Sequence, residues 1–180
     1  MYPYQHPYSS KAPLYNYWGQ PLYKAFPHEI ENERCFDSYY PNACRNVLTD
    51  YGPHPYVANI NGITKENNTF RTALWTGSNL QVTLMSLNVG EDIGLEVHPN
   101  VDQFLRIEQG QGIAKMGPSK DNLNLERNVY DDSAIIVPAG TWHNLINTGN
   151  IPLKLYSIYA PPNHPYGTVH VTKADALAEE

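Results

Sequence analysis

Cysteine is almost missing from this chain: Cys35 and Cys44 are the whole complement. Two thiols are too few for a disulfide scaffold, and without a C-x-x-C unit the usual thiolate zinc modules are excluded. They read as reduced thiols of a cytoplasmic protein, able to pair only on oxidation. Long apolar runs are missing too, and a helix needs about 18 such residues to cross a bilayer. The first residues lack a charged start followed by an apolar core, so no secretory leader is read there. Positive charge is scarce, with 12 Lys and Arg against 18 Asp and Glu and a net charge of −6. That balance lacks the basic face a nucleic-acid partner needs. A chain of 180 residues is one ordinary domain with room for an appended segment.

What is present is unevenly spread. Residues 1–56 hold 10 of the 14 Tyr and 8 of the 15 Pro. Proline removes an amide donor and restricts its neighbour, so this stretch reads as an extended or irregular extension. Its tyrosines suit contact with a partner subunit or a polymeric shell. His6, His28 and His54 read as surface residues. A helix is expected over Tyr56–Glu66, weakened by Gly62. The domain proper is read as residues 57–160, followed by a loop and tail over 161–180 with a short, fraying helical end.

From Thr69 onward the pattern is one of short strands. They are expected at Arg71–Trp75, Leu80–Val89, Ile93–His98, Val101–Glu108, Gly112–Met116, Leu125–Tyr130, Ser133–Val137, His143–Asn147 and Leu153–Tyr159. Gly, Pro and Asn punctuate them and no long helix intervenes, which argues an all-β barrel or sandwich. Leu84, Met85, Leu105, Ile107 and Leu145 are expected on the inner face. Trp75 and Trp142 read as cavity or rim residues or, equally, as ordinary core packing.

Four residues carry ligand chemistry. Side chains two apart on a strand share a face, so Glu96 and His98 project together. Gln103 joins them if the chain turns at Pro99-Asn100. His143 arrives from a second strand after the turn Pro138-Ala-Gly140. Carboxylate, amide oxygen and imidazole together suit a divalent first-row ion such as Zn, Mn, Fe, Ni or Co. Buried alone, the Glu96 charge would be costly. His164 and His170 could approach the mouth of the barrel or pack as a surface loop. Arg106 and Lys115 read as surface ion pairs rather than anion ligands.

These stretches resemble the two motifs of the cupin superfamily. The first, G-x5-H-x-H-x3,4-E-x6-G, is met by Gly90, His98 and Gly110, with Glu96 and Gln103 in place of His and Glu. The second, G-x5-P-x-G-x2-H-x3-N, is met by Pro138, Gly140, His143 and Asn147, with Asp132 in place of the leading Gly. The resemblance implies a double-stranded β-helix, or jelly-roll, barrel with Glu96, His98, Gln103 and His143 as metal ligands. From Leu74 onward the chain looks like small bacterial cupins of the mannose-6-phosphate isomerase-like group. Cupins commonly pair through a sheet, so a homodimer is expected, with Phe104 at its interface.

The leading functional expectation is a metal-dependent isomerase or lyase acting on a sugar or small oxygenated acid. In it Glu96 either ligates the metal or serves as a general base. A non-catalytic binding or shell protein of spore-coat type and an iron dioxygenase are the alternatives. A small-molecule ligand is expected, with neither nucleic acid nor membrane as partner.

Overall fold

A computed structural model describes residues 48–179. The expectations on Cys35, Cys44, His6, His28 and most of the Tyr/Pro-rich stretch fall outside these residues.

Among the described residues nine strands and two short helices follow one another: α1 (Ile60–Glu66), β1 (Arg71–Thr76), β2 (Gln81–Leu87), β3 (Asp102–Gln109), β4 (Gln111–Gly117), β5 (Leu125–Tyr130), β6 (Ala134–Val137), β7 (Trp142–Asn147), β8 (Leu153–Ala160), β9 (Val169–His170) and α2 (Lys173–Ala178). One sheet has the order β6-β3-β8-β2-β1-β9 and the other β5-β4-β7. All pairings between these strands are antiparallel. The non-sequential order brings β8 between β2 and β3, the crossover of a jelly roll.

Period-two alternation decides what each sheet turns inward. On β3, Gln103, Leu105 and Ile107 are buried while Phe104 and Arg106 are not. On β8 the inward set is Leu153, Leu155, Ser157 and Tyr159. One apolar core joins Met85, Leu105, Ile107 and Leu155 of the large sheet to Ala114, Val129 and Leu145 of the small one. Polar inward residues such as Gln103, Ser157 and His143 are buried as well. The closed barrel therefore has an apolar part and a polar part.

Three local expectations change. Leu84 does not face the cavity: it packs on the outer side of the large sheet with Leu74 and Ile63 of α1. It pairs with Thr72 and Tyr156, the outward register of β1 and β8. Ile93–His98 forms no continuous strand. Its alignment with β7 is held by isolated bridges at Asp92–Ile146 and Glu96–His143, with Gly94 at φ +96° between them. Finally, α1 starts at Ile60, because the Asn59 side chain accepts from the Gly62 amide and caps it there.

Past residue 160 the chain returns to the barrel. β9, unread in the sequence, adds to β1 through Arg71–His170 and Thr72–Val169. α2 begins with a reciprocal capping box between Thr172 and Asp175.

Candidate metal centre

The polar end of the barrel is organised by backbone contacts between the two motif segments. Glu96 and His143 exchange both amide bonds, at 3.0 and 2.9 Å. The Gly140 amide donates to the His98 carbonyl at 2.8 Å, and the Ala139 amide donates to Asp102 Oδ1 at 2.9 Å. The turn over Pro138–Gly140 thus grips the segment on either side of Pro99-Asn100. A main-chain clamp of this kind fixes side chains that lie far apart in sequence.

Glu96, His98 and His143 converge as a result. One ligand atom from each lies within 4.8 Å of the others. Glu96 Oε1 is 3.4 Å from His98 Nε2 and 3.2 Å from His143 Nε2. Both nitrogens are buried without an aligned hydrogen bond. His143 Nδ1 lies 3.0 Å from the Thr141 carbonyl, which can only accept. The Nδ1 proton is therefore spent there, which aims Nε2 toward Glu96. Gln103 is 2 % exposed. Its Nε2 donates to Ser157 Oγ at 3.0 Å, and its Oε1 is left buried with no partner.

Burial would raise the Glu96 pKa, but the imidazoles of His143 and His98 more than offset it and hold the carboxyl at about 2. Buried acceptor and lone-pair atoms are normally satisfied, and each exception calls for an explanation. Two imidazole Nε2 atoms and a carboxylate form a donor set that fits a divalent cation, and the unpartnered Gln103 amide oxygen is the fourth candidate donor. None of these donors is a thiolate, so the set does not single out zinc.

A second ring of residues surrounds these four. Tyr159 sets its ring edge-on to His98 at 5.7 Å and to His164 at 5.1 Å. Burial, reinforced by the Glu96 charge, pushes its phenol up to about 12, so it stays neutral. Gln81 holds the His164 loop: its Oε1 accepts from the Asn163 and His164 amides, and its Nε2 donates to the His164 carbonyl at 2.9 Å. His164 reaches the ring around the site, as one of the two sequence readings had it. His170 is buried in β9 and bonded to Glu179 at 2.9 Å.

Met85, Leu105, Ile107 and Leu145 line the interior as expected. A small apolar void of about 10 Å³ lies among Ile93, Leu105, Met116, Ile135 and Val137 beside His143. Trp75 instead donates from Nε1 to the His54 carbonyl at 2.7 Å, and Trp142 opens β7 half-buried. Arg106 pairs with Asp132, and Lys115 pairs with Glu126 at 3.0 Å, both at the surface. The residues that sequence reasoning missed are Gln81, Tyr159 and Arg71. Arg71 stands in a β1 run whose first four residues are all buried, so alternation gave no sign of which way it points.

Comparison with known proteins agrees with this architecture. Residues 83–159 match the family described as the cupin domain. The chain carries a cupin domain. It belongs to the same family as YrkC, an uncharacterised protein of Bacillus subtilis strain 168, with 69% identity over 175 residues covering 96% of this chain and 94% of the relative. An uncharacterised protein of Acanthamoeba polyphaga mimivirus is 42% identical over 119 residues, covering 66% of this chain and 72% of its own. The crystal structure of BH2720 from Bacillus halodurans superposes with a TM-score of 0.72 at 66% identity, over 73% of this chain and 99% of that one.

The cupin motif positions now have physical reasons. Gly140 takes φ +79° in the turn that clips His98, a conformation glycine adopts without a Cβ clash. Asp132, standing where the motif has glycine, keeps φ +68°, the only non-glycine residue with positive φ among the described residues. Asn147 is structural: its Nδ2 donates to the carbonyls of Leu87, Asn88 and Ile151, and its Oδ1 accepts from the Gly149 amide.

Proposed function

We propose that this cupin is a metal-dependent isomerase or lyase of the mannose-6-phosphate isomerase-like group, acting on a sugar or a small oxygenated acid. Glu96, His98, Gln103 and His143 are its metal ligands. The observation that carries this reading is the convergence of Glu96, His98 and His143, whose ligand atoms lie within 4.8 Å of one another, while the buried Gln103 Oε1 is left without a partner. When bound, the ion would act as a Lewis acid on a carbonyl or hydroxyl oxygen.

The chain's own residues supply the rest. The Thr141 carbonyl orients the His143 ring, and Ser157 fixes the Gln103 amide. Glu96 is assigned as a permanent ligand, because its Oε1 lies within 3.4 Å of both imidazole Nε2 atoms. If Glu96→Gln bound metal normally and lost turnover alone, the general-base role would replace this assignment.

Elemental analysis of protein purified without added metal tests the site. About one equivalent of a single divalent metal is expected, and a His98→Ala/His143→Ala double variant should lose it. Manganese or zinc would direct assays to sugar and hydroxy-acid isomerisation, and iron to oxygen consumption. A protein that stays metal-free after reloading would end the enzyme reading in favour of a non-catalytic binding or shell protein.

A further inference from the structure

Residues 161–167 leave the barrel at its metal end. β8 closes at Ala160 beside Asp102, the residue gripped by the Ala139 amide. One cross-strand row there runs from Gln103 through Tyr159 and Gln81 to Thr76. The His164 ring stands edge-on to Tyr159 at 5.1 Å, and Tyr159 stands edge-on to His98 at 5.7 Å. The loop is thus one ring away from a candidate ligand. Among the described residues the His98 and Glu96 side chains are already only 12 % and 18 % exposed.

Two buried side chains hold this loop. Gln81 spends its whole hydrogen-bonding capacity on it and on Thr76. Its Oε1 accepts from the Asn163 and His164 amides at 3.2 and 2.9 Å. Its Nε2 donates to the His164 carbonyl and to Thr76 Oγ1, each at 2.9 Å. Asp50, 5 % exposed, holds the far end: its Oδ2 accepts from the Gly167 amide at 3.0 Å, and its carbonyl accepts from the Tyr166 hydroxyl at 2.8 Å. Thr76 joins the two, because its hydroxyl accepts from Gln81 and donates to Asp50 Oδ2 at 2.6 Å.

No residue of 161–167 belongs to either apolar cluster, so the hold is polar. The flanks are fixed: Tyr159 is 1 % exposed, and the Thr168 carbonyl accepts from the Ala73 amide at 2.8 Å. Gly167, at φ +75°, is the joint between flank and loop. A segment with fixed ends, few apolar contacts and hydrogen bonds that water can replace is of the kind that opens locally.

We propose that residues 161–167 are a gate over the metal centre, and that Gln81, Thr76 and Asp50 are the clasp that keeps it shut. The three are positioning residues, which act through the loop and touch no ligand atom. The ion enters and leaves through the open state. The clasp therefore sets the exchange rate in both directions and leaves the equilibrium affinity where the four candidate ligands set it. This rests on the metal reading above.

The test is manganese exchange by the full chain, followed through the EPR signal of the free ion. Release is timed after loaded protein meets excess EDTA, and uptake after metal-free protein meets manganese. Gln81→Met keeps the size and removes the clasp's hydrogen bonds, so it should speed both by about tenfold or more. The dissociation constant should stay within about twofold, because no candidate ligand is altered. Thr76→Val should act in the same direction, and Thr76→Ser should match the unmodified protein. Unmodified exchange rates in a folded Gln81→Met or Thr76→Val overturn the proposal. So does faster release with unchanged uptake, which would mean a damaged ligand set. Should neither variant fold, uptake by the unmodified protein decides: a rate that saturates with manganese concentration supports an opening step, and one that stays proportional to it overturns the gate. Failure to hold manganese at all would instead sink the metal reading, and this inference with it.

Discussion

At the scale of single residues, the two cupin motifs mix chemistry with scaffolding. Asn147 is 1 % exposed and joins three carbonyls and one amide from the segments around it. Removing such a hub leaves buried acceptors unsatisfied, at about 1 kcal/mol or more apiece. Asn147→Ala should therefore lose about 3 kcal/mol in urea unfolding while elemental analysis finds its metal content unchanged. A variant of full stability would remove the structural role. Glu96, His98 and His143 were legible from spacing because period-two geometry and the two motifs constrain them. Gln103 was legible only if a turn intervened, and the chain does turn at Pro99-Asn100 before β3 begins at Asp102. Arg71 was not legible, since no motif marks it.

At the scale of elements, the loop after β8 has the most to say. Gln81 is fully buried and ties that loop to β2 through Asn163 and His164. Burial, followed by the Arg71 charge, lowers the His164 pKa from 6.5 to about 3. The unfolded chain therefore takes up this proton near pH 6.5, whereas the folded protein resists it until about pH 3. Above pH 6.5 His164 contributes no pH dependence. Between 6.5 and 3 it should reduce stability as pH falls, by at most about 1.4 kcal/mol per pH unit, less for its partial exposure. Urea midpoints of His164→Gln and the unmodified protein should run parallel above pH 6.5 and diverge in the variant's favour below it. Parallel curves throughout would show that His164 is not held neutral. The segment Ile93–His98 shows the limit of pattern reading: its alternation is real, yet Gly94 breaks the ladder and only two bridges remain.

At the scale of the whole molecule, two sheets close over one core, and among the described residues no helix is long and apolar enough to cross a membrane. The large sheet ends at β6, a four-residue edge strand on which Ile136 is 68 % exposed. An edge strand unpaired among the described residues, with an exposed apolar side chain, is where we propose that a second copy associates. Light scattering should return twice the 20.4 kDa chain mass, and Ile136→Lys should return the single mass. A single-chain mass at every concentration would reject the dimer. Phe104, expected at that interface, packs near Tyr156 at 6.3 Å on the outer face of β3 and β8.

From the sequence alone came the all-β class, most strand positions and the convergence of Glu96, His98 and His143. Those features follow from local rules: alternation, turn residues and motif spacing act over a few residues and do not need the rest of the chain. Only the tertiary structure decided which side of β1 and β2 faces inward, so that Leu84 lies outside and Arg71 within. It also decided that the segment past residue 160 returns as β9 and brings His170 to Arg71. Such pairings join residues about a hundred positions apart, and in strands buried on both faces neither side chain carries a pattern that names its partner.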